Sequence, residues 1–328
     1  MIPKGRFISE IGDGDRVKAV FLISERRLLT ARNGKPYGKV IVSDKTGEML
    51  GLLWDDAPDQ IAGIAPGDVV GIRASAESYE NRLQLRIEKI TKLSEKDVDM
   101  AGLVPTTSRD MASMIAEFEQ AVSGIRNQHL RTLIERIFER EGVRAGFMKA
   151  PAAKGIHHNY VGGLLEHTLF VLKAIDALLP VYVHVGLNRD MLYAGAILHD
   201  LGKIYEYSCE KVIEITPVGR LLGHIYLSAH MVDQEAGAME GFPEELKLQL
   251  LHMILGHHGQ LEFGSPKLPM TKEAIFLHMM DDLDAKLTGI CSIIEATPED
   301  ETFTAFSSIY NRHLYTRSYR DEEQTANH

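Results

Sequence analysis

Residues 194–207 read AGAILHDLGKIYEY: an apolar, helix-like run that ends in His199 and Asp200, with Gly202 and Lys203 at the turn that follows. An ionised carboxylate taken out of water is costly unless it is paired, hydrogen-bonded or bound to a cation. A helix packed only for its apolar face has no reason to finish on a base, an acid and a cation. The stretch therefore points to a helical region built around chemistry, whose other participants should sit on similar apolar runs.

Four further runs fit. They are GGLLEHTLFV with His167, GRLLGHIYLSAH with His224 and His230, ILGHHGQ with His257 and His258, and HMMDDLDAK with His278, Asp281, Asp282 and Asp284. Eleven of the 14 histidines lie between His157 and His278. One histidine on an apolar helix face is most often a hydrogen-bonded core residue, but five such segments in order point to a shared metal centre. Imidazole with carboxylate suits Mn, Fe, Co, Ni or Zn, and the lack of thiolates argues against a structural zinc site. The two cysteines, Cys209 and Cys291, are far apart and make neither a CxxC site nor a disulfide framework. His224 and His230, six residues apart, diverge by about 120° on a helix, so only one of them can join a centre, and His224 is preferred. His184, His252, His278 and His313 read as structural.

Upstream the pattern is β. VKAVFLIS alternates, KPYGKVIVSDKTGEMLGLLWD reads as two strands joined through Asp44 and Gly47, and DVVGIRASA and NRLQLRIEKI supply two more. A short helix is expected in DDAPDQIAGIAPGD, between the third and fourth strands. Five strands with a helix at that place have the order of the OB-fold, a small barrel that often binds oligonucleotides. Among its aromatics, Tyr37 and Trp54 are the candidates to stack a base, and Lys35 and Lys39, with Arg26, Arg27 and Arg32, could follow a phosphate backbone. A solvated charged face is the plain alternative for those cations.

Beyond the barrel, KLSEKDVDMAGLVPTTSRD is a polar linker, and NQHLRTLIERIFERE sets Leu130, Leu133, Ile134, Ile137 and Phe138 on one helical stripe that reads as packing. The expected organisation is a two-domain chain. An all-β OB-fold barrel spans 1–95, a linker and helical extension 96–150, an all-α catalytic domain 151–315, and a polar, disordered tail 316–328. Formal charge is −10, with 15 Lys+Arg against 14 Asp+Glu through residue 95 and 21 against 32 thereafter. That balance argues against a generally sticky nucleic-acid binder. Neither a secretory leader nor an apolar run of membrane-spanning length is present, so the expected location is cytoplasmic, with no membrane partner. A convincing Ser or Cys triad, P-loop or GxGxxG is also missing.

The order His…His-Asp…Asp, with HDLGK, resembles the HD superfamily of metal-dependent phosphohydrolases, on His167, His199, Asp200 and Asp281. His224 and GHHG resemble its two-metal members. HHNYVGGLLEHT behind an OB-like barrel is similar to the YhaM-type bacterial 3′→5′ exoribonucleases over nearly the whole chain. The resemblance implies a divalent-metal cofactor, two ions with Mn²⁺ favoured. His167, His199, Asp200 and Asp281 would hold one ion, and Asp200, His224 and His257 the other, with Asp200 bridging. Asp282 is an alternative to Asp281, and Asp284 could hydrogen-bond a ligand. His258 could be a ligand or proton donor, Lys203 could meet the substrate, and His157 and His158 could hold the scissile phosphate. The implied activity is hydrolysis of single-stranded RNA, with single-stranded DNA a further substrate and a homo-oligomer possible. The rivals are a phosphohydrolase of small or cyclic nucleotides and a non-catalytic RNA-binding protein with a structural metal.

Overall fold

A computed structural model describes residues 1–317 except 32, 80–81, 154–157, 209–212 and 299. Arg32, His157, Cys209 and most of the expected tail thus lie outside the described residues. Five strands, β1 (Arg16–Thr30), β2 (Pro36–Asp44), β3 (Gly47–Leu53), β4 (Val69–Tyr79) and β5 (Arg82–Lys92), close a barrel in the order β1-β2-β3-β5-β4. The helix α1 (Ala57–Ile61) stands between β3 and β4, as the sequence pattern requires of an OB-fold. β1 is long enough to serve two neighbours: its first half pairs with β4 and its second with β2, and the register shifts between Ile23 and Glu25. Such a bulge adds the twist that lets one strand turn the corner of a small barrel. Alternation places Val17, Ala19, Phe21, Val40, Val42, Leu53, Leu85 and Ile87 inside.

The β2–β3 turn is fixed by a buried carboxylate. Asp44 accepts from the Thr46 amide at 2.8 Å and the Ile8 amide at 2.9 Å, and pairs with Lys4 at 2.9 Å. The connection out of the barrel is apolar on its inner side: Val98 and Leu103 pack with Val20, Leu22 and Val69.

The rest is helical, with one two-stranded hairpin, β6 (Tyr207–Ser208) and β7 (Glu214–Ile215). In chain order the helices are α2 (Met111–Ser123), α3 (Gln128–Glu139), α4 (Val143–Lys149), α5 (Gly163–Leu178), α6 (Arg189–Leu198), α7 (Lys203–Glu206), α8 (Pro217–Ala238), α9 (Glu244–Gly256) and α10 (Lys272–Glu295). Side chains of Asp110, Asn127, Asn188, Thr216 and Thr271 accept from the first free amides of α2, α3, α6, α8 and α10. The stripe on α3 is buried throughout, and one apolar core runs from Met114 and Phe118 through Phe147 to Ile197, Ile254 and Leu277. The helices α2, α3 and α4 therefore feed the same core as α5 to α10. Glu235 of α8 ties it further, meeting Arg136 at 2.6 Å and Arg140 at 2.5 Å. No helix among the described residues is long and apolar enough to cross a membrane.

Candidate metal centre

Five elements deliver the ionisable groups to one point. His167 comes from the second turn of α5, His199 and Asp200 follow α6, His257 follows α9, and Asp281 lies in α10. His224 comes from α8, which is kinked at Gly223 (φ 72°, ψ 155°), a left-handed φ that glycine adopts without a Cβ penalty. Gly202 lets this part of α8 approach, since a Cβ there would lie 2.3 Å from the His224 carbonyl oxygen.

Asp200 is 2% exposed, and its two oxygens face different groups. Oδ2 lies 3.3 Å from His199 Nε2 and 3.6 Å from His167 Nε2, while Asp281 Oδ1 lies 3.2 Å from His167 Nε2. Oδ1 lies 3.4 Å from His224 Nε2 and 3.5 Å from His257 Nε2. Asp200 Oδ1, His224 Nε2 and His257 Nε2 are buried and lack a hydrogen-bond partner. Three orphaned polar atoms aimed at one another are costly unless a cation joins them. The donor set fits a divalent ion: imidazole nitrogen and carboxylate oxygen, with His258 of the half-buried edge in range of the His224–His257 group.

The opposite nitrogen of each of these histidines is tethered. His199 Nδ1–H donates to the Ala196 carbonyl at 2.9 Å and His257 Nδ1–H to the Ile254 carbonyl at 2.7 Å. His167 Nδ1 meets Asp284 Oδ2 at 2.7 Å and His224 Nδ1 meets Glu206 Oε2 at 2.7 Å. Because a carbonyl or carboxylate takes the Nδ1 proton, Nε2 is the atom left to face the centre. A longer chain of contacts backs His167: Asp284 Oδ2 also meets His158 Nε2 at 3.0 Å, and His158 Nδ1 meets the Tyr160 hydroxyl at 2.7 Å. Tyr160 and Thr107 both donate to the buried Glu166, at 2.8 and 2.6 Å.

Electrostatics divide the two groups. Burial opposes protonation of His199, but the charges of Asp200 and Asp281 outweigh it and raise its pKa to about 10. His167 is likewise raised against burial, by Asp281 and Asp284. His224 and His257 are lowered, with burial the largest cause. Asp200 and Asp281 are held well below the usual carboxylate range, burial being overcome by Lys203 and His199 for the first and by His167 and His199 for the second.

The remaining expected site residues have these partners. His158, expected at the scissile phosphate, is 3% exposed with both ring nitrogens engaged, so it braces Asp284 instead. Lys203, expected to meet the substrate, is 7% exposed and sits 2.5 Å from Asp200 Oδ2, three residues away on the same face. Asp282 turns from the centre to Lys286 at 2.7 Å, which leaves Asp281 in it. His230 is exposed and stacks on Tyr226. Glu206, Tyr160 and Glu166 were not singled out from sequence; the one available signal was an acid inside an otherwise apolar helical run. On the barrel, Tyr37 and Trp54 stack with centroids 4.7 Å apart, Trp54 is exposed, and Lys39 follows on the same face of β2. Lys35 is exposed in the β1–β2 loop.

Family models place this geometry. An HD domain matches residues 164–286 and an OB-fold nucleic acid binding domain residues 17–93. A curated relative, the 3′-5′ exoribonuclease YhaM of Geobacillus sp. (strain WCH70), is 35% identical and covers 92% of each chain. The chain belongs to the YhaM exoribonuclease family. Divalent-metal binding follows from its HD domain. Among solved structures, the second OB-fold domain of replication protein A from Methanococcus maripaludis is 17% identical over 29% of this chain and 98% of that one, with a TM-score of 0.24. Mitochondrial single-stranded DNA binding protein Rim1 from S. cerevisiae is 20% identical over 25% and 98%, with a TM-score of 0.22.

Proposed function

We infer that this family member is a metal-dependent 3′→5′ exoribonuclease that hydrolyses single-stranded RNA and releases nucleoside 5′-monophosphates. The observation that carries the metal chemistry is Asp200, whose oxygens face two separate imidazole groups, the second of them orphaned. His167, His199, Asp281 and Asp200 Oδ2 would hold one divalent ion, and His224, His257 and Asp200 Oδ1 a second, with His258 at its half-buried side. Nitrogen and oxygen donors without thiolate suit Mn, Fe, Co, Ni or Zn, and the family resemblance favours Mn²⁺ among them. When bound, the pair supplies an activated water and positive charge at the scissile phosphate.

The chain's own groups do the rest. The Nδ1 tethers hold each Nε2 at the centre, and Asp200, fixed as a carboxylate, keeps the two groups in register. Lys203, buried against Asp200, holds that carboxylate in its ionised form for the ions it would join. His258, at the open edge, is placed to hand a proton to the leaving 3′ oxygen of the penultimate nucleotide. On the barrel, Tyr37 and Trp54 would stack bases and Lys35 and Lys39 meet phosphates. Stacking does not read the 2′-hydroxyl, so single-stranded DNA fits the same platform.

The test is a product ladder from end-labelled RNA with added Mn²⁺, run beside cyclic dinucleotides and nucleoside triphosphates. A ladder that starts at the 3′ end, is stopped by a 3′ block and is lost in Asp200→Asn is expected. If cyclic dinucleotides are the better substrates, the small-nucleotide reading replaces this one.

A further inference from the structure

Away from the Tyr37–Trp54 platform, the barrel carries a second cationic surface. Strand register sets Lys18 of β1 opposite Arg73 of β4, and Arg73 opposite Lys89 of β5. One row along, Arg16 faces Ser75 and Ser75 faces Arg86. These five cations are exposed. Like charges directly opposite on a sheet face are destabilising, so the arrangement costs the fold something. Acids outnumber bases in this chain, 46 to 36, yet the acid described in this row, Glu88, exposed at the β5 bulge opposite Arg73, forms no ion pair with any of the five. The barrel's ion pairs among the described residues engage Lys4, Arg6, Arg27 and Lys92, and none of the five. Glu77, an acid on the same face of β4, accepts from Gln84 at 3.0 Å instead.

A cleft of about 450 Å³ adjoins the row, with Lys18, Arg73 and Lys89 around it and Ile2, Val20 and Leu93 between them. Its N-terminal wall is held in place: the Val20 amide donates to the Lys4 carbonyl at 2.7 Å and the Ile2 amide to the Asp97 carbonyl at 2.6 Å. The row is also continuous with the platform. Lys39 of β2 pairs with Leu52 of β3, Leu52 with Arg86 of β5, and Arg86 through Ser75 of β4 with Arg16 of β1. Strands lie about 4.8 Å apart, so this belt runs roughly 19 Å around the outside of the barrel.

We propose that the β1–β4–β5 face, built on Lys18, Arg73, Lys89, Arg86 and Arg16, is a second phosphate-binding surface for single-stranded nucleic acid, and carries the strand onward from the Tyr37–Trp54 platform. The proposal rests on the reading of the barrel as an RNA grip. Unpaired cations in register with the platform match a repeating anionic backbone. An acidic protein would need no such continuity.

The experiment uses the full chain with a chelator to stop hydrolysis, and measures binding of labelled oligouridylates of about 5 and about 15 nucleotides, near the ends of the range one OB-fold spans. Each single-strand phosphate neutralised adds about 0.7 to the slope of log K against log salt, so K18Q/R73Q/K89Q should lower the slope for the long oligomer by about 2. The short oligomer should keep its slope. The thermal midpoint should hold or rise as repulsion is relieved, and K18R/K89R should retain the slope. An unchanged slope with the long oligomer overturns the proposal, as does displacement of that oligomer from the triple-substitution face by polyglutamate in preference to unlabelled RNA or DNA. Failure of the platform reading looks different: Trp54→Ala would leave both oligomers unaffected while the triple substitution still lowered the long-oligomer slope.

Discussion

Four imidazoles in this centre are turned the same way, Nδ1 to a tether and Nε2 inward, but their protons differ. In the metal-free protein the carboxylates raise both His167 and His199 against burial, the latter to about 10, so near neutral pH His199 is protonated and a cation must displace that proton. His224 and His257 are lowered by burial and present neutral nitrogens. Metal uptake by the His167–His199–Asp281 group should therefore release the His199 proton and strengthen as pH rises from 6 to 9, about tenfold per unit for that proton. Uptake by the His224–His257 group should be nearly flat above pH 7. Calorimetry in buffers of different ionisation heat reads the proton count, and equal release at both steps would contradict the assignment. Asp284, whose own pKa is pulled down against burial by His158 and His167, should matter through orientation. Asp284→Asn is expected to weaken metal binding roughly 10- to 100-fold while the chain stays folded. A metal titration with an unchanged midpoint would remove Asp284 from that role.

At the scale of elements, the centre depends on helices meeting at glycines. The apolar stripe of α3 and the strand alternation are visible in sequence because they repeat every few residues, and the buried faces follow them. The kink of α8 is different: GRLLGHIYLSAH reads as one uninterrupted helix, and only packing against the turn at Gly202 shows that Gly223 must take a left-handed φ to bring His224 in. Gly202→Ala forces a Cβ to within 2.3 Å of the His224 carbonyl oxygen, so α8 must retreat. The expected result is a loss of about 1–3 kcal/mol of stability. The His224–His257 group should release its metal before the other. Metal content per chain, measured beside thermal unfolding, checks both; retention of full metal content would show that α8 tolerates the shift.

For the whole molecule, the question is how a barrel with nearly balanced charge serves a helical domain with a large excess of acid. Net charge says little about the grip proposed above, one stacked aromatic pair with a localised belt of cations. Trp54→Ala should raise KM for long RNA about tenfold, since one lost stacking contact is worth about 1–3 kcal/mol, with a far smaller effect on a dinucleotide that reaches only the centre. Steady-state kinetics on the two substrates gives the ratio; an equal effect on both would mean that Trp54 supports the fold and not the grip.

Sequence by itself determined the strand order of the barrel, the site of α1, the α3 stripe and the His and Asp positions of the HD pattern, because each is written in local periodicity or in a short motif. It also limited any metal centre to nitrogen and oxygen donors. Only tertiary structure set Asp281 at the centre and Asp282 against Lys286, joined His158 to Asp284 and Lys203 to Asp200, and supplied Glu206 as the tether of His224. His158 and Asp284 are separated by 126 residues. The cation belt likewise joins residues of β1, β4 and β5 that are neighbours only through register. Periodicity specifies which face of an element is buried. Which side chain of another element it meets there is set by packing, and no local pattern encodes it.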